Sequence, residues 1–290
     1  MTERLALDLH AQPDDLTCGP TCLHALYRYY GLELPLETVI NETPRLDDGG
    51  TLAVHLGRHA LRRGFRARMY VFNLKLFDPT WFPPVRPATG GPGAGSAAPP
   101  PMARLRSMRG VADPAALAAK LRSQRPTRTR PKVRLAIDAY LDYLALGGEV
   151  AMEDLTSELL RRYLVRDIPI LTGLSATWLY GCAREIEGDP GRLLHDDVRG
   201  DPTGHFVILG GYDRAAREVF VEDPLLPDAP SAQVHRRGRS YAVDIDHLVC
   251  AILIGIITYD GNLLVVQPPQ ADPPRTAAPA SHPPTAPHCR

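Results

Sequence analysis

The chain has 290 residues, of which 44% are hydrophobic and 23% charged, enough to bury one sizeable core. Its 33 Lys and Arg balance 33 Asp and Glu, and this formal charge of zero excludes a general attraction to nucleic acid or to acidic surfaces. The longest apolar run, over 249–257, is far too short for a membrane span.

The amino terminus, MTERLALDLH, interrupts its short apolar stretch with charges and offers no signal-peptide core. The five cysteines at irregular spacing then read as reduced thiols, and a cytoplasmic location is expected. The first element follows from QPDDLTCGPTCLHALYRYYG, residues 12–31. Thr17 is a candidate cap, and Gly19-Pro20 suits a chain that turns sharply into a helix. Cys22, Leu23, Leu26, Tyr27 and Tyr30 share one apolar face, so a helix is predicted over 18–30 with Gly31 as its stop. A short helix near 36–41 and a helix over 51–63 capped by Thr51 come next. The alternation of Phe65, Ala67, Met69 and Val71 then predicts a strand.

From 83 to about 132 the composition turns to Pro, Gly, Ala and Arg, which reads mostly as a flexible surface insertion with room for a short helix around 113–122. Helices are predicted over 133–146 and 153–165, and a strand over 168–174. In GHFVILGGYDRAAREVFVEDP, residues 204–224, FVIL reads as a buried strand that ends at Gly210-Gly211-Tyr212-Asp213. Residues 217–222 alternate as its hairpin partner. A short helix from Asp244 and strands near 251–259 and 262–267 complete the order. The Pro-rich residues 268–290 are expected to be disordered, and no internal repeat is visible. Helices first and antiparallel strands last make an α+β chain, one domain over 1–267 apart from the insertion.

The chemistry is carried by four positions. Cys18 stands at the start of a helix, where the positive end of the dipole favours a thiolate. Gln12, six residues earlier, is a candidate oxyanion donor. A thiol nucleophile needs a base and the base an orienting group. A hairpin sets the start of one strand beside the end of the next, so His205 and Asp223 are expected side by side.

These motifs resemble those of the papain-like cysteine peptidases that remove double-glycine leaders from bacteriocin precursors, in particular stand-alone members without a transporter. The carriers are Q…D-x-T-C-G-P, then G-H-F-V-I-L-x-G-Y-D, then D-P, and the resemblance covers roughly 8–82 and 133–266. It implies a papain-like fold with N-terminal helices packed on a C-terminal antiparallel sheet. It also implies Cys18 as nucleophile, His205 as general base and acid, Asp223 as orienter and Gln12 as oxyanion donor. The implied reaction is cleavage of a peptide or small protein, after small residues such as Gly-Gly. The alternatives are acyl or peptidyl transfer through the same residues, and a non-catalytic leader-binding domain of the same fold. Unlike transporter-linked peptidases, the chain has no G-x-x-x-x-G-K-[ST] loop for phosphate. No cofactor is expected, and the oligomeric state is left open.

Other candidates have plainer readings. Cys22, Cys182 and Cys250 read as small buried hydrophobes, and Cys289 as an incidental thiol. Cys18, Cys22 and His24 share helical spacing but lack a second ligand pair for zinc, so no metal is expected. Asp196-Asp197 is either a solvated turn or a substrate contact. The segment over 174–180, with Trp178 and Tyr180, either lines the cleft or packs the core. The basic run RTRPK has no interleaved aromatics and reads as solubilising charge.

Overall fold

A computed structural model describes residues 3–46, 49–82, 109–187, 193–225, 239–258 and 261–269. The expected tail beyond 269, the first part of the insertion over 83–108 and Cys289 lie outside the described residues.

The chain opens with β1 (Glu3–Arg4), then α1 (Cys18–Tyr29), α2 (Leu36–Glu42), α3 (Ala53–Arg62) and β2 (Arg66–Tyr70). β3 (Arg109–Val111), α4 (Pro114–Gln124), α5 (Pro131–Ala145), β4 (Glu149–Glu153) and α6 (Ser157–Leu164) follow. The last part is β5 (Ile170–Ser175), α7 (Ala176–Tyr180), β6 (Glu185–Glu187), β7 (Leu193–His195), β8 (Gly204–Asp213), β9 (Glu218–Glu222), β10 (Ser240–Asp244), α8 (Ile245–Thr258) and β11 (Leu263–Gln267). One sheet runs β10-β9-β8-β5-β11-β2-β4-β3, with β1 added beside β8. Every pair in it is antiparallel except β2 with β4. This is the expected α+β order, with the cysteine helix laid on a largely antiparallel sheet.

The sheet is covered on both faces, which explains its unbroken apolar strands. Phe206 and Ile208 of β8 enter the core beneath α1, α3 and α5, while Val207 and Leu209 enter a second core with α6, α7 and α8. Leu263 to Val266 of β11 alternate between the same two cores.

Three expectations are corrected. The apolar run expected as a strand near 251–259 is not a strand: its residues 251–258 belong to α8. Ile245, Leu248, Ala251 and Ile252 are buried at helical spacing, and Gly255 lets the helix meet β5: a Cβ there would lie 2.7 Å from Leu174 Cα. Apolar residues on the outer face of α8, such as Leu253 and Ile257, hide that period from the sequence. Second, residues expected to open a helix at 153 instead finish β4, and Thr156 caps α6 by accepting from Leu159 N. Third, Thr51 does not cap α3; its hydroxyl donates to Pro44 O at 2.7 Å. β8 does end within Gly210-Gly211-Tyr212-Asp213, at Asp213, with a bulge between Leu209 and Gly211.

The second part of the expected insertion is built into the molecule. β3 pairs with β4, and Leu117 and Leu121 of α4 are fully buried against the α1–α3–α5 core. Asp113 caps α4 by accepting from Ala116 N at 2.8 Å. Leu117→Ala should therefore destabilise the chain by about 2–5 kcal/mol, the cost of truncating a buried leucine. Urea unfolding would measure it. A change below about 0.5 kcal/mol would mean that α4 is not seated in the core.

Candidate active site

The Cys18 helix is fixed at both ends by local chemistry. At its C-terminus Gly31 takes a left-handed φ of 78°, and Gly31 N and Leu32 N return to Arg28 O and Tyr27 O. These two bonds close the helix in a Schellman motif, as Gly31 leads one to expect. At its N-terminus Thr17 holds the cap position, but its side chain makes no capping bond. The Thr17 hydroxyl turns back and donates to Asp14 O at 3.1 Å, while Asp14 Oδ1 accepts from Leu16 N at 2.9 Å. The turn over 14–17 is thereby closed on itself, and the Thr17 side chain makes no capping bond to α1.

Gly19 explains how closely this helix end approaches β8. A Cβ at Gly19 would meet Thr51 Cγ2 at 3.0 Å, Leu56 Cδ1 at 3.1 Å and Phe206 Cδ2 at 3.2 Å. Only glycine seats the residue after Cys18 against the residue after His205 without displacing one of them.

His205 and Asp223 come together as the hairpin predicts. His205 Nε2 donates to Asp223 Oδ1 at 3.0 Å, and both side chains are buried. With Nε2 engaged, Nδ1 is the ring nitrogen left for the Cys18 side chain, whose charge also acts on the imidazole. Burial alone would lower the His205 pKa, but the charges of Asp223 and Cys18 outweigh it and push it up to about 10. The imidazolium form is favoured at neutral pH.

Gln12 is 3% exposed, and its backbone N donates to Pro224 O at 2.8 Å, which ties its segment to the residue after Asp223. Its amide Oε1 is buried with no hydrogen-bond partner among the described residues.

The structure adds two residues around Asp223. Asp223 Oδ2 accepts from Tyr180 OH at 2.6 Å and from Tyr241 OH at 2.7 Å. Leu225 N donates to Oδ1 at 2.9 Å, and Asp223 N donates to Arg239 O at 2.9 Å. Tyr180 falls within the segment singled out as cleft or core. Tyr241, on a short strand with no motif of its own, left no signal in the sequence.

No family profile and no curated protein matches the sequence. The solved structures similar to it include the following two. One is a double glycine motif protease from an AMS/PCAT transporter, in complex with the leader peptide, at 12% identity and a TM-score of 0.37, over 92% of this chain and 99% of that one. The other is described as a C39-like peptidase from Bacillus anthracis, at 14% identity and a TM-score of 0.37, over 91% and 97% of the two chains.

The remaining candidates have other partners. Asp196 is a turn residue: its Oδ1 accepts from Val198 N and Arg199 N and its Oδ2 from Arg199 Nε, and these bonds hold its carboxyl down at about 2. The Asp197 carbonyl accepts from Arg184. Trp178 is 46% exposed and stacks on His247. Cys22 donates to Phe206 O at 3.4 Å, and burial pushes its pKa well up, which fits a packing role. His24 Nε2 donates to Leu34 O. Cys182 is half-buried, and Cys250, expected to be buried, is exposed on the outer face of α8. Among the described residues no group of three or more His, Cys, Asp or Glu is placed to hold a metal ion. No helix among them is long and apolar enough to cross a membrane.

Proposed function

We propose that the chain is a cysteine peptidase working through Cys18, His205, Asp223 and Gln12. The observation that carries this reading is the buried imidazole of His205, held by Asp223 on one nitrogen, with its charged form favoured by the charges of Asp223 and Cys18. An imidazolium beside a cysteine stabilises the thiolate, which is the attacking species.

The thiolate attacks the substrate carbonyl and forms a C–S bond. The oxyanion is received by the Gln12 side-chain amide and the Cys18 backbone N–H at the helix start. The tetrahedral intermediate collapses, the C–N bond breaks, and His205 gives its proton to the departing amine. His205, now neutral, takes a proton from water, the hydroxide cleaves the thioester, and the acid leaves with the thiolate restored. The substrate class proposed on the sequence resemblance is a peptide cut after small residues such as Gly-Gly.

Intact-mass measurement after incubation with an acylating peptide ester tests the reading. A mass increase that maps to Cys18 and decays on hydrolysis supports it. No adduct at Cys18 in the folded chain, with several esters tried, counts against it. A second check needs no substrate. Iodoacetamide near neutral pH should alkylate Cys18 faster than Cys250, although Cys18 is buried and Cys250 exposed. Peptide mapping reads both rates, and the expectation fails if Cys250 reacts first.

Gln12→Ala should lower the chemical step by about 2.7–4 kcal/mol, the scale for losing one oxyanion donor, with little change in substrate binding. Single-turnover kinetics separate the two. A rise in KM at constant kcat would assign Gln12 to binding instead.

A further inference from the structure

Asp223 receives more donors than the orientation of one imidazole requires. It is fully buried, and its two oxygens divide the work. Oδ1 accepts from His205 Nε2 and Leu225 N, and Oδ2 accepts from the hydroxyls of Tyr180 and Tyr241. The two phenols arrive from unrelated parts of the chain. Tyr180 ends α7, just before left-handed Gly181, and its ring lies 6.4 Å from that of His205 between centroids. Tyr241 sits on β10, paired across the ladder with Val221.

We propose that Tyr180 and Tyr241 are positioning residues for the reaction: by saturating Oδ2 they keep Asp223 an anion and aim Oδ1 at His205. This rests on the reading of His205 as the partner of Cys18. A carboxylate out of reach of water keeps its charge only if donors replace its hydration. Hydroxyl donors at such short distances make charge-assisted bonds, stronger than neutral ones. With both phenol hydroxyls gone, Oδ2 would lose two charge-assisted donors in the core. The carboxyl would then move toward its neutral form or turn away, and its hold on the imidazolium would weaken. Two hydroxyls that served packing alone would change stability and leave the imidazole's proton affinity where it was.

The test follows the His205 ring by NMR in the full chain, with 13C-labelled histidine and Cys18→Ala to remove the thiol titration. The signal is assigned by its loss in His205→Gln, and Asp223→Asn gives the midpoint without the anion. The combined Tyr180→Phe and Tyr241→Phe variant should bring the midpoint down toward the Asp223→Asn value, by about one unit or more, a tenfold weaker hold on the proton. Each single substitution should give a smaller downward shift. A double variant that unfolds cooperatively but titrates with the parent's midpoint overturns the proposal. If the double variant does not fold, the singles decide: a downward shift in either supports it, and no shift in both overturns it. Failure of the peptidase reading would show elsewhere, as absence of an acyl-enzyme on native Cys18, and leaves this titration readable.

Discussion

Cys18→Ala and His205→Ala should each reduce turnover by on the order of a millionfold, and combining them should cost little more. A nucleophile and its base act as one unit, so removing either forfeits the covalent route, and the second deletion has nothing left to remove. Whatever rate remains comes from binding and the oxyanion donors. The measurement is the burst of leaving group from an activated ester under single-turnover conditions. His205→Ala also strips Asp223 of a charged partner in a fully buried place, so it should cost stability as well. His205→Gln keeps a donor for Asp223 and separates the two effects: activity lost, stability largely recovered. A burst of undiminished size from Cys18→Ala would move the nucleophile elsewhere and end the assignment.

What was legible in the sequence was local. Gly31 announces its left-handed stop because no other residue adopts φ 78° as readily, and Gly19 permits a close approach that a Cβ would crowd. His205 and Asp223 could be set side by side because a hairpin is a short-range object, and their pairing needs only the ladder between β8 and β9. Where the sequence misled, a second face was at fault. α8 is apolar on its buried side and on much of its outer side, so the helical period is washed out and its β-branched residues read as a strand. α4 is flanked by low-complexity residues whose composition says nothing of the buried Leu117 and Leu121. Tyr180 and Tyr241 meet only at Asp223, through elements on either side of it in the chain, and no spacing rule joins them.

Asp223→Asn should keep the fold, lower the rate by on the order of 10³–10⁴-fold at neutral pH, and move the alkaline limb of the kcat/KM profile to lower pH. The rate scale is that of removing the charge behind a catalytic histidine in a comparable triad. The sign of the pH shift follows from the balance at His205. Burial lowers its pKa, and the charge of Asp223 is the largest of the influences that raise it, to about 10. An asparagine still accepts from Nε2 but supplies no charge, so burial gains ground and the imidazolium is lost at lower pH. The parent should hold its imidazolium through neutral and mildly alkaline pH and lose activity as pH rises toward 10. Stability carries the same signature. A histidine whose folded pKa is raised contributes stability that is fully present below its ordinary value of about 6.5 and disappears as pH climbs through the folded one. The parent should therefore lose stability between about 6.5 and 10, and Asp223→Asn should flatten that slope. Tyr180 and Tyr241 can accommodate the change by accepting from the new amide, since a phenol oxygen accepts as well as donates. Rate profiles and urea midpoints across this range check both limbs. An alkaline limb that stays where the parent has it, in a variant that folds, would mean that the charge on Asp223 does not set the proton affinity of His205.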